Sequence, residues 1–584
     1  MEIVKVSCLE TTRNPDWYND SCLEMNKPIR VVIILIVLCG LIVPRIMQLT
    51  DFTAADEPFW LVVGANYYYA LTHFEFENTI YEYHPAVTTM WIVTAAMLVY
   101  FPEYRGLMNG YFQQEKTSFD SYLVEQGRNP LDLLRWSRFF QVLVNVALWV
   151  TAFILLKILL DELSALAIVL FASFAPYLFG QSRLLNHESM VGLFSLITIL
   201  ALTIYLFKGR HPLHLVLSGM AAALANLTKS SSIVLLPVIG MIVGYWFLQN
   251  GFEKENIWQK TRAAAGIFLG WIGITILFYF IFWPGMWVAP GKMLHEVYGN
   301  AFSYAFLGSR LSVSAGLEPV RFSLPEALRS MQAILVSIVW RTTPLTWMGV
   351  VLAFIAIVSK NQTRSQTILK PLLLFLFLLT FAAISMFAVI SGRDQPHYVL
   401  VSYVCFEVIA GLGWVVSLGY LSDKLNSKRP TMILIALLGV VLAFQAAGLL
   451  SFRPYYYTYL NPVLTFNNKD QVPVFFYGER METAAAYLAE KPNAQFMTAL
   501  VYFGRSFSYY FPGDTLVFKP VFFTDKSQLQ DNLRKSDYLV IYSGLHERLP
   551  MLNEMTPEHV IDLNGRPYLE IYPVSGVPPS FYEN

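Results

Sequence analysis

The chain has 584 residues, of which 55% are hydrophobic and only 14% charged, and its mean hydropathy is +0.47. This excludes an ordinary soluble protein of that size. The formal net charge is zero, and no basic, aromatic-interleaved patch argues for a nucleic-acid partner.

Apolar runs near membrane-spanning length recur from residue 29 to 450. Residues 1–28 are mixed polar, and the run after them is longer than a signal-peptide core and lacks a small-residue cleavage site. A retained N-terminal tail is expected, placed in the cytoplasm by Lys27 and Arg30. Spans are predicted near 29–49, 138–157, 163–180, 189–207, 213–229, 231–249, 263–283, 343–359, 371–390, 397–418 and 431–450. The stretch 84–101 is apolar but short. Taking it as a membrane-surface helix within one large external loop, 51–137, puts the basic loops on the cytoplasmic side. Those loops run from Lys157 and Lys208, through Lys254, Lys360 and Arg364, to Lys428 and Arg429. Counting 84–101 as a span inverts every later loop against the positive-inside rule. About 11 spans are therefore expected. After residue 450 the composition turns charged and turn-rich. A helix over 481–490, strands over 495–502 and 537–542, and a hairpin around Asn564-Gly565 predict a small external α/β domain, 451–584. The four cysteines (Cys8, Cys22, Cys39, Cys405) form neither a CxxC pair nor a disulfide framework.

The unusual polar groups fall on one side of this topology. Asp56 and Glu57 are adjacent just after the first span, where a carboxylate pair is costly unless it serves a purpose. His84, Arg183, His187, Glu188, Lys229, Arg393, Asp394 and His397 share that face. Each also has an ordinary reading: helix starts favour acids, and arginines snorkel to lipid headgroups. Together they place acids beside cations at one membrane surface. The acids suit a base or orienting group for an acceptor hydroxyl or amine, and the cations suit a phosphate leaving group. A phosphate at that level suggests a lipid carrier.

The order of these features resembles the GT-C membrane glycosyltransferases, closest to glycosyltransferase family 39 with its protein O-mannosyltransferases and lipid A aminoarabinose transferases. The residues that carry the likeness are Asp56-Glu57, His84-Pro85, Arg183 with Glu188, ThrLysSerSerSer (228–232) and PheTrpProGlyMetTrpVal (282–288). GlyArgAspGlnProHisTyrValLeu (392–400), TyrTyrTyrThrTyrLeuAsnPro (455–462) and TyrGlyGluArgMetGluThrAlaAlaAlaTyrLeu (477–488) complete it. The resemblance implies an all-α polytopic GT-C domain over 29–450. It also implies inverting transfer from a polyprenyl-phosphate sugar to a protein, lipid or glycan acceptor at the external face of the cell membrane. By position, Asp56 becomes the general base, with Glu57 and Glu188 orienting it or the acceptor. Lys229, Arg393, His397, His84 and Arg183 become the donor-phosphate group. Two departures, Tyr83 before His84 with Glu82 as a weak substitute acid, and Glu188 in place of Asp, weigh against a metal. Metal-independent transfer with no cofactor is expected. The alternative, a lipid or sugar transporter, calls for internal repeats, and none is seen.

Overall fold

In the computed structural model the described residues are 27–583, apart from 82–83, 108–109, 114–117, 250–256, 312–316, 318–321, 359–365, 391–392, 394, 426–429 and 468–475. The expectations at Glu82, Tyr83, Asp394, Lys254, Lys360, Arg364, Lys428 and Arg429, and for nearly all of the 1–28 tail, lie outside the described residues.

The first helix, α1 (Lys27–Ile46), ends in a turn at the level of the acidic pair. The segment that follows is itself largely helical: α2 (Glu57–Thr72), α3 (Val87–Tyr100) and α4 (Ser118–Glu125). α3 buries most of its residues against its neighbours and leaves Trp91, Leu98 and Val99 outward. The long helix α5 (Pro130–Leu159) starts where Pro130 fits a first helical turn, and Asn129 accepts a hydrogen bond from the Leu131 N–H at 2.9 Å. Then come α6 (Glu162–Ser173), α7 (Glu188–Phe207), α8 (Pro212–Thr228), α9 (Leu235–Gln249) and α10 (Ile257–Ile281). The set is completed by α11 (Leu324–Arg341), α12 (Pro344–Val358), α13 (Gln366–Val389), α14 (Leu400–Lys424) and α15 (Pro430–Leu450). Among the described residues, seven helices are long and apolar enough to cross a membrane, or eight if α11 and α12 count as one bent span. The chain is a multi-pass membrane protein. Outward residues such as Phe381 and Phe444 give the bundle an apolar exterior.

Two expectations are corrected. The run 163–180 is not one helix, because Pro176 forces Ala175 into an extended conformation and a short second helix, Pro176–Gln181, follows. The span near 343–359 is preceded by α11, and the two helices meet at 113°.

The C-terminal part builds a five-stranded sheet in the order β2-β1-β3-β5-β4. Its strands are β1 (Thr498–Val501), β2 (Asp514–Val517), β3 (Tyr538–Tyr542), β4 (His559–Leu563) and β5 (Arg566–Pro573). β1 runs parallel to β2 and β3, and β5 is antiparallel to β3 and β4. Asn564 and Gly565 both have positive φ, 54° and 75°, as a two-residue hairpin turn requires. The helices α16 (Met481–Ala489) and α17 (Lys526–Leu533) cover the sheet's core. Tyr455, Tyr457 and Tyr477, beyond residue 450, pack into the core of the helical bundle. The sheet domain docks over α2 and α4. Arg505 pairs with Asp120 at 3.0 Å and donates to the Pro58 carbonyl at 3.0 Å, and Tyr510 lies 3.0 Å from Thr53 Oγ1. The docked domain thereby closes one end of the bundle around the acidic pair.

Candidate active site

Glu57 and Asp56 are neighbours with opposite surroundings. Glu57 is 1% exposed and its two oxygens are saturated. Arg138 on α5 donates from Nε to Oε1 at 2.6 Å and from Nη2 to Oε2. The Leu185 N–H donates to Oε1 at 2.8 Å, and the Ala54 N–H to Oε2 at 2.6 Å. Arg138 also donates to the Leu49 carbonyl and lies over the Phe52 ring. A bidentate guanidinium–carboxylate pair with its remaining lone pairs satisfied is the arrangement that tolerates burial. Glu57 thus fastens α2, α5 and the loop before α7 to one another.

Asp56, at the N-cap of α2, makes no capping bond, and solvent reaches it. Its Oδ2 accepts a hydrogen bond from the Tyr477 hydroxyl at 2.9 Å. Tyr477 is brought there by backbone: the Ala55 N–H donates to the Tyr477 carbonyl at 3.0 Å. Gly478 follows with φ +100°, and a Cβ there would stand 2.7 Å from the Thr53 carbonyl. Only glycine allows both that φ and that approach. The protein mass around Asp56 raises its pKa. The Tyr477 bond and nearby His187 oppose the rise, while Glu188 and Glu57 add to it.

Opposite Asp56 lies a second cluster. Glu188, in the first turn of α7, accepts a hydrogen bond from Lys229 at the end of α8, and His187 Nε2 lies 3.3 Å from its Oε1. All three are buried. The Lys229 ammonium sits over the Tyr398 ring at 4.7 Å and the Phe387 ring at 5.7 Å. His187 packs edge-on to Trp60 of α2 at 4.9 Å and lies 5.2 Å from the His84 ring. His397 touches the Tyr398 ring at 4.3 Å and stacks on Tyr477 at 5.6 Å. Arg393 donates to the Tyr398 hydroxyl at 3.1 Å, with its guanidinium 5.2 Å from the Tyr304 ring. Burial lowers the pKa of His84, and Lys229 lowers it further, so its imidazole is neutral at neutral pH.

The sequence-derived residues therefore divide. Asp56, Glu188, Lys229, Arg393, His397 and His84 converge on one site through shared aromatic neighbours. Glu57 lies beneath it, turned to Arg138. Arg183 stands apart: it donates to the carbonyls of Arg45, Met47 and Gln48, the C-terminal end of α1, and lies over the Tyr456 ring. Those are the orphan carbonyls that a helix end offers to a cation. Sequence reasoning missed Tyr477, Tyr398 and Arg138. Tyr477 opens one of the segments that carried the family likeness, but nothing local marks it as the partner of a residue in the first loop. Among the described residues, no group of three or more His, Cys, Asp or Glu side chains is arranged to hold a metal ion.

Residues 134–283 match the model of the family described as dolichyl-phosphate-mannose-protein mannosyltransferase. Over this stretch the chain is similar to that family. The matched stretch contains Arg138, Arg183, His187, Glu188 and Lys229, and the match agrees with the resemblance read from the sequence. Asp56, His84, Arg393 and His397 lie outside it. No curated protein matches the chain. Solved structures similar to it include ArnT from Cupriavidus metallidurans bound to undecaprenyl phosphate, with 12% identity, 95% of this chain and 100% of that one covered, and a TM-score of 0.47. The Archaeoglobus fulgidus oligosaccharyltransferase in the apo form is also similar, with 13% identity, 90% and 71% covered, and a TM-score of 0.44. The mycobacterial arabinofuranosyltransferase AftD gives 16% identity, 88% and 41% covered, and a TM-score of 0.31.

Proposed function

We propose that the protein transfers a sugar from a polyprenyl-phosphate carrier to a hydroxyl or amine acceptor at the external face of a membrane, with inversion at the anomeric carbon. The observation that carries this reading is the solvent-reached carboxylate of Asp56, held by Tyr477, opposite a cluster of cations and imidazoles. The family description of residues 134–283 supports a lipid-phosphate sugar as donor.

In this reading Oδ1 of Asp56, the oxygen not bonded to Tyr477, accepts the proton of the acceptor nucleophile as it attacks the anomeric carbon. The bond from that carbon to the phosphate oxygen breaks with its electron pair, and polyprenyl phosphate departs. Arg393, His397 and His84 hold the phosphate and stabilise its growing charge. Lys229 has its charge balanced by Glu188, so it acts through the local field and by fixing Glu188 and His187. Glu57 positions Asp56 through the loop that Arg138 clamps. Transfer proceeds on protein groups alone in this proposal.

The test compares membranes with and without the protein. Loss of a polyprenyl-phosphate sugar with gain of a glycosylated acceptor is expected. Identical lipid-linked sugar pools and acceptors in both membranes would contradict the reading.

A further inference from the structure

Tyr542, the last residue of β3, is wholly buried. Its ring stacks on Phe476 at 4.2 Å and meets Tyr568 edge-on at 5.3 Å. A phenylalanine would make the same packing contacts, so packing does not account for the hydroxyl. That hydroxyl accepts a hydrogen bond from the Gly478 N–H at 3.2 Å and donates to the Glu479 carbonyl at 3.4 Å.

Both partners belong to one turn, 477–480, and the turn is costly. Gly478 has φ +100° and Arg480 has φ +64°. A left-handed conformation at a residue with a Cβ persists only where its surroundings impose it. Three contacts grip this turn. The Ala55 N–H donates to the Tyr477 carbonyl at 3.0 Å from the side of the bundle. The Tyr477 N–H donates to Glu479 Oε2 at 2.7 Å within the turn. The Tyr542 hydroxyl holds the Gly478 N–H from the side of the sheet. Met481 follows directly, opens α16, and is buried in the same core as Tyr542. Gly478 is itself buried, so loss of the Tyr542 hydroxyl would leave its N–H without a partner and destabilise the turn. What the turn delivers is one side chain: the Tyr477 hydroxyl, 2.9 Å from Asp56 Oδ2.

We propose that Tyr542 is a positioning residue for the transfer: through the Gly478 turn it holds the Tyr477 hydroxyl on Asp56, so that the C-terminal sheet completes the site of the helical bundle. The role given to Asp56 rests on the transferase reading; the path from β3 to Asp56 rests on the hydrogen bonds alone. The titratable and charged groups that face Asp56 are Glu57, His187, Glu188, Lys229, Tyr398 and Tyr477. None of them lies on the sheet, so a change at Tyr542 reaches Asp56 through the turn and not through a charge of its own.

The test uses the full-length protein in lipid nanodiscs and compares the wild type with Tyr542→Phe, Tyr477→Phe and the double variant. Two readouts are taken. One is the acid limb of the pH–rate profile. The other is the titration of Asp56, followed by infrared difference spectra against Asp56→Asn, which needs no turnover. Loss of a donor to a carboxylate raises its pKa, so Tyr542→Phe is expected to move both readouts to higher pH by about half a unit to one unit, the scale of one hydrogen bond. Added to Tyr477→Phe, it is expected to move neither further, because the hydroxyl it positions is already gone. The comparison is repeated in Glu479→Gln, which removes the turn's own carboxyl and keeps an oxygen for the Tyr477 N–H. A lowered melting temperature with both readouts at their wild-type positions would reduce Tyr542 to core packing and overturn the proposal. So would equal shifts from Tyr542→Phe with and without the Tyr477 hydroxyl. If the Asp56 titration moves but no sugar transfer occurs, the transferase reading fails and the path from β3 to Asp56 stands. If transfer occurs and neither readout moves, the positioning role alone fails.

Discussion

The Tyr477 hydroxyl donates to Asp56 across 421 positions of sequence, at 2.9 Å. This bond joins the start of the C-terminal domain to the first loop of the helical bundle, and it touches the carboxylate on which the proposed chemistry depends. A donor to the charged form lowers a carboxyl pKa, so Tyr477 partly offsets the rise caused by the surrounding protein. Tyr477→Phe is expected to raise the Asp56 pKa and shift the acid limb of the pH–rate profile to higher pH. The maximal rate should fall by about tenfold or less, because the proposed base remains. An acid limb at the wild-type position would show that the bond does not tune Asp56.

Glu57 and Arg138 are expected to act on folding before chemistry. Removing one partner of a buried ion pair costs roughly 3–5 kcal/mol, because the other charge is left without compensation. Glu57→Gln and Arg138→Gln should each lower thermal stability strongly, and the double variant should lose less than the sum. Thermal unfolding of the purified protein, arranged as a double-mutant cycle, measures the coupling. Full stability with lost turnover in Glu57→Gln would instead place Glu57 among the reacting groups.

Glu479, two residues beyond Tyr477, is fully buried, and burial pushes its pKa up to about 7 from 4.5. In the native state it binds a proton more tightly than in the unfolded chain. Its stabilising contribution is therefore complete below about 4.5 and is lost as pH rises through about 7. The amount is on the order of 3 kcal/mol. Glu479→Gln, close in shape to the protonated acid, should remove this dependence and stabilise the protein at pH 8 relative to the wild type. Parallel melting curves of the two proteins from pH 5 to pH 8 would contradict the assignment.

Arg393 is expected to serve the donor. Arg393→Gln should raise the donor KM by tenfold or more, the scale of a lost charge-assisted contact, with little change in melting temperature. An unchanged donor KM would remove Arg393 from the phosphate group.

Much of the bundle was legible because spans such as α7 and α14 are long runs bounded by charge, apolar throughout but for a few hydroxyls and, in α14, Glu407. The hairpin was legible because Asn564-Gly565 suits a turn that needs positive φ at both positions. α2 was not read as a helix. It is buried on nearly every side, so its apolar residues show no helical period. α11 mixes Glu326, Arg329 and Arg341 with apolar residues and gives no span signal. β2 has four residues at a sheet edge, too few for a pattern. At the site, carboxylates near a helix start could be seen and the resemblance gave them different roles, but the surroundings that separate them could not be read. Glu57 is distinguished from Asp56 by Arg138, 81 positions away, and Arg183 is diverted by the carbonyl groups of α1, which no side-chain pattern reports.

The most direct measurement of the central claim is transfer by Asp56→Asn, with the product's anomeric configuration determined for the wild type. Asparagine keeps the size and can still accept the Tyr477 bond, but it cannot take the acceptor's proton. Turnover should fall by about 10²-fold or more, with donor binding nearly unchanged, and the wild-type product should have the configuration opposite to the donor's. Wild-type turnover in Asp56→Asn, or a product that retains the donor's configuration, would contradict single displacement with Asp56 as the base.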